Sequence, residues 1–291
     1  MRLFLLAYQD SNLDKQNQNL SYYHYTIGQY QPSFLIWECK NKGEGNLPQN
    51  FFVGNPILKL PGQIQAYFRA SMFSYTWQNE LLVLHPWRCL FWGREQALIL
   101  SDLHFGKTGH FRKEGIAVPQ DVFRHDLDRL TFLIQHFGPK RLLMVGDLFH
   151  SRSNLEWEWF AQWRNGFSNM GFTLISGNHD KVEPPTASRM NLQVIQRLEI
   201  RPFLFVHDAR EILSLPEQVG GIVSGHIHPA VSIPSGPRQS LRLPCFHFTP
   251  THCTLPAFGL FTGMHTIKPH AKDTVFAIGE NEIIRVGKYR D

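Results

Sequence analysis

Hydrophobic and polar positions alternate along this chain in two regimes. From Glu80 onward, short apolar runs recur: ELLVLH (80–85), RCLFWG (88–93), ALIL (97–100), RLLMV (141–145), FTLI (172–175), FLFV (203–206) and GIVS (221–224). The first two read as a strand pair. The others are short and continuously apolar, as expected of strands buried on both faces. Two helical patterns lie among them. In residues 120–139, Phe123, Leu127, Leu130, Ile134 and Phe137 fall at helical spacing, and Gly138-Pro139 closes the run. In residues 151–167, Ser153 and Glu156 have capping-box spacing, and Leu155, Trp159, Trp163 and Phe167 follow on one predicted face. These tryptophans read as core. Later runs, LRLPCFHF (241–248), LPAFGLF (255–261), DTVFAIG (273–279) and EIIRVG (282–287), read as further strands. The order is βαβαβ and then mostly β, which predicts two packed sheets with helices outside.

Residues 1–75 lack this regularity. They are rich in Asn, Gln, Ser and Tyr, and their apolar pieces, such as SFLIWEC (33–39), sustain neither period. The segment reads as a poorly ordered extension, or as sequence upstream of a start at Met72, with a small β-rich cap as the competing reading. The domain boundary is therefore placed at 75/76, with one catalytic domain over residues 76–291.

Composition narrows the class only modestly. The 291 residues are 43% hydrophobic and 18% charged, enough apolar material for one large core. A net charge of +5 permits a polyanionic partner without requiring one. The cysteines, Cys39, Cys89, Cys245 and Cys253, form no C-x-x-C pair, which argues against a thiolate zinc knuckle and fits a reducing cytoplasm. The apolar start is too short for a signal peptide, and no run is long enough to span a membrane. A cytoplasmic protein without a membrane partner is expected.

Each predicted strand ends in a polar cluster. ALIL leads to Asp102 and His104, RLLMV to Gly146-Asp147, and FTLI to Gly177-Asn178-His179-Asp180. FLFV leads to His207, and GIVS to Gly225-His226-Ile227-His228. Loops at the carboxyl ends of strands form the common site in α/β folds, so five such ends are expected to converge. Carboxylate, amide oxygen and imidazole without thiolate suit divalent ions such as Mn, Fe or Zn. A carboxylate with two oxygens, as at Asp147, can bridge two ions that clamp a phosphoryl oxygen and activate water. A lone D-x-H or Gly-Asp is weak. All five clusters in this order are specific.

The ordered set resembles the calcineurin-like metallophosphoesterase superfamily, from about Ala97 to His228. The resemblance implies a four-layer αββα sandwich, α+β or α/β in class, with two mixed sheets flanked by helices. It implies two divalent metal ions, with Mn expected and Fe, Zn, Ni or Co as alternatives. One ion would take Asp102, His104, Asp147 and His228, the other Asp147, Asn178, His207 and His226. His179 would act on the leaving oxygen, and Asp180 would either orient that imidazole or serve as a turn residue. His207 is followed by Asp208 where many family members carry glycine. His150 reads equally as a neighbour of the metals or as a plain loop residue.

The stretches SDLHFGKTGHFRKEGIAVP, GDLFHS, GHIHP, LPCF and LPAFGLFTG are also similar to the bacterial ligase-associated DNA damage response endonuclease branch. That implies a DNA endonuclease acting through a hydroxide activated by the metal pair, with a DNA ligase, a helicase and an exonuclease as partners in repair. Lys107, Arg112 and Lys113 follow the first metal motif closely and are expected to hold flanking phosphates of DNA. The rival readings are a phosphatase or cyclic-nucleotide phosphodiesterase with the same centre and, more distantly, a non-catalytic scaffold.

Overall fold

The computed structural model describes residues 5–8, 21–24, 71–106, 122–150, 155–236 and 238–287. The chain divides into two compact units, residues 1–68 and 69–291. In the first, β1 (Leu5–Tyr8) and β2 (Ser21–His24) pair antiparallel. Everything below concerns the second. Among the described residues, no helix is long and apolar enough to cross a membrane.

One sheet runs in chain order: β3 (Phe73–Trp77), β4 (Glu80–His85), β5 (Cys89–Trp92), β6 (Ala97–Leu100), β7 (Arg141–Val145), β8 (Gly171–Ile175) and β9 (Gln193–Ile195). Strands β3 to β6 are antiparallel neighbours, and β6 to β9 are parallel. The change comes where crossover helices begin: α1 (Val122–Phe137) joins β6 to β7, and α2 (Leu155–Asn165) joins β7 to β8. A short helix, α3 (Pro184–Arg189), precedes β9. Strand β3 was not among the predicted elements. It turns into β4 through Gln78 and Asn79, both at positive φ, as a two-residue hairpin requires.

The second sheet is also mixed. It contains β10 (Arg197–Ile200), β11 (Phe203–Val206), β12 (Gly221–Ser224), β13 (Pro229–Gly236), β14 (Gln239–Phe248), β15 (His252–Thr254), β16 (His265–Thr266), β17 (Thr274–Ile278) and β18 (Ile283–Arg285). The order is β10-β11-β12-β15-β14-β13-β16, with β17 on β14 and β18 on β17.

The two sheets face each other across a core that includes Trp92, Ile99, Val145, Phe203, Phe205, Phe246 and Phe276. Strand β6 shows why its run is apolar throughout. Ala97 and Ile99 enter this core, while Leu98 and Leu100 enter a second one with Leu130 of α1 and Phe160 of α2. The outer face of the second sheet is covered more thinly. Leu204, Val206 and Ile222 pack against Val219, Ile212 and Leu215 of the segment after β11, and among the described residues no α-helix covers them. Among the described residues that cover includes a loop with one 3-10 turn, Ala209–Glu211.

Two local expectations are corrected. On α2, Trp157 and Phe160 are the buried aromatics, while Trp159 and Trp163 are only partly buried. The cause is Arg164, 2% exposed, which shares their row. Its guanidinium donates to the carbonyls of Phe167 and Met170 and lies 4.0 Å over the Phe172 ring. Ser153, half of the expected capping box, lies outside the described residues. The run LPAFGLF is not a strand. It contributes one bridge, Ala257 to Ser101, and then turns so that Phe258 N donates to Ser101 O and Gly259 N to Asp102 O. Leu255, Ala257 and Phe258 are buried because the segment packs under the end of β6, which clamps the backbone that carries Asp102.

Candidate metal centre

Four of the five strand ends bring their side chains together, and the fifth, after β8, reaches Asp147 through its backbone. Asp102 and His104 follow β6, Asp147 follows β7, His207 follows β11, and His226 and His228 follow β12. Ligand atoms of Asp102, His104 and His228 lie within 4.8 Å of one another, and so do those of Asp147, His207 and His226. In the first group, His228 Nε2 is 3.2 Å from Asp102 Oδ1 and 3.3 Å from His104 Nε2. In the second, His207 Nε2 is 3.3 Å from Asp147 Oδ2 and 3.3 Å from His226 Nδ1. Asp147 Oδ2 also lies 3.8 Å from His104 Nε2, so this carboxylate reaches both groups.

The backbone takes an unfavourable form to achieve this. Asp102, His104, Asp147, His226 and His228 all have positive φ, between 49° and 69°. That region costs roughly 1–2 kcal/mol for a residue with a side chain, though Asp and His tolerate it better than most. Such strain concentrates where side chains must be aimed at one point. Two glycines allow the groups to close. A methyl group at Gly146 would fall 2.0 Å from His207 Nδ1, and one at Gly177 would fall 2.3 Å from Asp147 Oδ1. The Gly-Asp and Gly-Asn pairs thus carry a packing requirement as well as ligands.

Hydrogen bonds set the orientation of the rings. His207 Nδ1 is 3.1 Å from the Val145 carbonyl, and His228 Nδ1 is 3.0 Å from the Gly263 carbonyl. Both contacts place the proton on Nδ1 and leave Nε2 as the free donor atom toward the centre. Burial acts to raise the Asp102 carboxyl, but the His228 hydrogen bond and the charges of His228, His207 and His104 hold it below the usual carboxylate range. At Asp147, burial is likewise outweighed by His207 and His104. For His207, burial is outweighed by its bond to Asp147 and the charges of Asp102 and Asp147, which carry it up to about 9. Two buried carboxylates held ionised beside histidines are a site in demand of positive charge. The donors, carboxylate and imidazole with no thiolate, fit two divalent ions of the Mn, Fe or Zn type.

The remaining predicted residues are placed less uniformly. Asn178 is exposed, between Gly177 and His179, whose amide donates to Asp147 Oδ1 over 3.1 Å. The His179 ring is exposed on the rim, 5.8 Å from that of His104 and 5.1 Å from that of His150. The His150 ring in turn is 5.9 Å from that of His104, so His150 borders the centre. Asp180 does not hold the His179 imidazole. Its Oδ1 accepts from the amides of Leu148 and Phe149 and its Oδ2 from that of Gly177. Its contacts are those of a turn residue that ties the Asp147 loop to the Asn178 loop, and burial raises its carboxyl to about 6 despite the three amides. Lys107, Arg112 and Lys113 lie outside the described residues.

Sequence reasoning passed over a buried support. Arg129 on α1 pairs with Asp126 at 2.8 Å and donates to the carbonyls of Phe258 and Trp87, each at 3.0 Å. It holds the segment that in turn holds Asp102. The two charges at i, i+3 within an apolar helix face were the available signal.

Double mixed sheets around paired Asp/His groups are the architecture of the metallophosphoesterases, hydrolases of phosphoric esters. The structure is similar to the crystal structure of the Pseudomonas putida nuclease MPE, with 25% identity and a TM-score of 0.62 over 74% of this chain and 100% of that one. It also has a distant likeness to Yfce, a phosphoesterase from E. coli, at 15% identity and a TM-score of 0.36, covering 66% of this chain and 99% of that one. A protein of unknown function from Aquifex aeolicus, AQ665, stands at 15% and 0.32, covering 45% and 78%. No family model and no curated protein matches the chain.

Proposed function

We propose that this protein is a metal-dependent phosphodiesterase whose substrate is DNA, cut internally. The observation that carries the choice of a polyanion is the charge balance of the sequence that contains and follows His226 and His228. Residues 218–272 contain no Asp or Glu, yet include His226, His228, Arg238, Arg242, Lys268 and Lys272. The four cations are exposed. Arg238 stands in the turn between β13 and β14, Arg242 lies on β14, Lys268 follows β16 and Lys272 precedes β17; β13 begins at Pro229, directly after His228, where it pairs with β16. A phosphomonoesterase needs positive charge only at the reacting group, whereas a nuclease must also hold flanking phosphates. The likeness to a solved nuclease supports the same reading.

Two bound divalent ions, with manganese as the favoured pair, would polarise the phosphoryl oxygen and activate the attacking water. Asp102, His104 and His228 would hold one, and His207, His226 and Asn178 the other, with Asp147 shared. His179, on the rim and outside both groups, would give a proton to the leaving oxygen. The side chains of residues 238–272, together with Lys107, Arg112 and Lys113, would carry the strand. A place in repair beside a DNA ligase, a helicase and an exonuclease rests on the motif resemblance.

The test uses the metal-loaded protein on supercoiled plasmid, a chromogenic phosphodiester and a chromogenic phosphomonoester. Nicking of the plasmid is expected. Changing Arg238, Arg242, Lys268 and Lys272 to Ala should weaken DNA binding and flatten its salt dependence, with little effect on the small diester. Hydrolysis of the monoester alone would sink the nuclease reading in favour of a phosphatase.

A further inference from the structure

Asp208, which stands where the resemblance leads one to expect glycine, sits against a metal ligand. Its Oδ1 accepts from the Arg210 amide at 3.0 Å and from Arg210 Nε at 2.9 Å, and its Oδ2 accepts from Arg210 Nη2 at 2.6 Å. Oδ2 is also 3.7 Å from His226 Nε2. Arg210 Nη2 makes a second contact, 2.7 Å from the same His226 Nε2. The other nitrogen of His226, Nδ1, faces His207 Nε2 and the Asp147 group.

These contacts constrain the proton on His226. A guanidinium has only N–H donors, so a 2.7 Å approach to Nε2 requires Nε2 to accept. The neutral ring then carries its proton on Nδ1, the atom that faces the centre. A metal ion cannot bind a protonated nitrogen, so this tautomer refuses metal. In the opposite tautomer Nδ1 is free to ligate, and Nε2–H needs an acceptor. Asp208 Oδ2 is the carboxylate beside it. The other two histidines of known orientation, His207 and His228, have backbone carbonyls fixed in that role. For His226 the role falls to a charged side chain with a competing cation attached.

We propose that Asp208 and Arg210 select the tautomer of His226. Asp208 is a positioning residue that takes Nε2–H and commits Nδ1 to metal, and Arg210 opposes it by donating to Nε2. Metal binding at His226 and the Arg210–His226 contact exclude one another, so entry of the ion releases Nη2 from the ring. The exposed guanidinium, still paired with Asp208, then faces solvent at the lip of the centre. The inference rests on the metal-centre reading above.

Asp208 also caps the 3-10 turn, so the substitutions must keep the cap. Asp208→Asn keeps an oxygen for the Arg210 amide but gives up the carboxylate that pairs with Arg210 and lies beside His226. Removal of such a partner of a ligating histidine costs ~10–100-fold in metal affinity. Chelator competition with Mn(II), read as ions bound per chain, should show that loss for one of the two ions in Asp208→Asn. Arg210→Met should bind that ion more tightly than wild type. Imidazole nitrogen NMR on metal-free protein should show His226 protonated at Nδ1 in wild type and shifted toward Nε2–H in Arg210→Met. Wild-type affinity in folded Asp208→Asn would reduce Asp208 to a helix cap and overturn the proposal. So would weaker binding in Arg210→Met. A wild-type protein that binds no ion at all would instead remove the metal centre itself.

Discussion

Asp147 and His207 approach to 3.3 Å between Oδ2 and Nε2, and both are buried. The pair joins two elements far apart in sequence, the end of β7 and the end of β11, and so joins the two sheets at the centre. Because the same oxygen lies 3.8 Å from His104 Nε2, Asp147 is the side chain common to both ligand groups.

Asp147→Asn should therefore remove the shared charge and abolish phosphodiester hydrolysis. At least one of two bound ions should be missing from metal analysis. The fold should persist, since β7 is buried through Leu142, Leu143, Met144 and Val145. Thermal stability in the presence of metal should fall because ligand stabilisation is lost. Two ions and normal turnover in this variant would exclude the bridge.

His179 and His228 should part company. His179→Ala is expected to keep both ions and to lower turnover by roughly 10²–10⁴-fold, the usual share of a general acid. His228→Ala should lower occupancy first, because its Nε2 lies in the Asp102 group. Metal content and turnover measured on the same preparations decide the matter. Equal metal loss in the two would make His179 a ligand.

Gly177 carries no donor side chain, yet Gly177→Ala should impair the centre. The added carbon would lie 2.3 Å from Asp147 Oδ1 and 2.6 Å from its backbone nitrogen. Asp147 must move, and crowding of this kind costs about 1–3 kcal/mol. Reduced metal occupancy with a matching loss in unfolding free energy is expected. An unperturbed centre would show that the loop yields instead.

Arg129→Met should destabilise the domain by about 3–5 kcal/mol, because the buried Asp126 carboxylate loses its ion-pair partner. The paired variant Asp126→Leu/Arg129→Met should recover only part of this, since the carbonyls of Phe258 and Trp87 still lose their guanidinium donor. Urea unfolding of the three proteins measures both quantities.

His85 gives a pH dependence that is independent of the metals. It is 2% exposed and accepts from the Trp87 amide through Nδ1. Burial, reinforced by His136 and Arg129, lowers it from 6.5 to about 3. The unfolded chain therefore takes up a proton near pH 6.5 that the folded chain refuses until about pH 3. Its stability contribution is complete above pH 6.5 and is lost as the pH falls through that window, by at most about 1.4 kcal/mol per unit. Relative to wild type, His85→Gln should flatten the fall in unfolding free energy between pH 6.5 and 4.5. Parallel curves would place the titration elsewhere.

The sequence by itself determined the buried strands and the Asp and His residues that gather at their ends. Runs such as ALIL and RLLMV are apolar at every position because each strand packs on both faces, and that requirement is written residue by residue. The two Asp/His groups were legible for a related reason: each Asp or His closely follows its strand, so the pattern that locates the strand also locates the side chain at its end. The helix α1 could be read because its period of apolar residues matches its one buried face.

What the tertiary structure decided depends on partners distant in sequence. Phe73, Tyr75 and Trp77 of β3 do alternate, but their burial is supplied by Phe203, Phe248 and Phe276 of the other sheet. LPAFGLF is as apolar as a strand because it is buried under β6, and hydrophobicity alone does not distinguish a covered turn from a ladder. Asp180 and Asp208 could be seen as charged neighbours of ligands, but which groups their oxygens meet is fixed only when loops from different strands are brought together. Local pattern reports how much of a side chain is hidden from water. The identity of what hides it, and so the direction of each hydrogen bond at the centre, belongs to the folded chain.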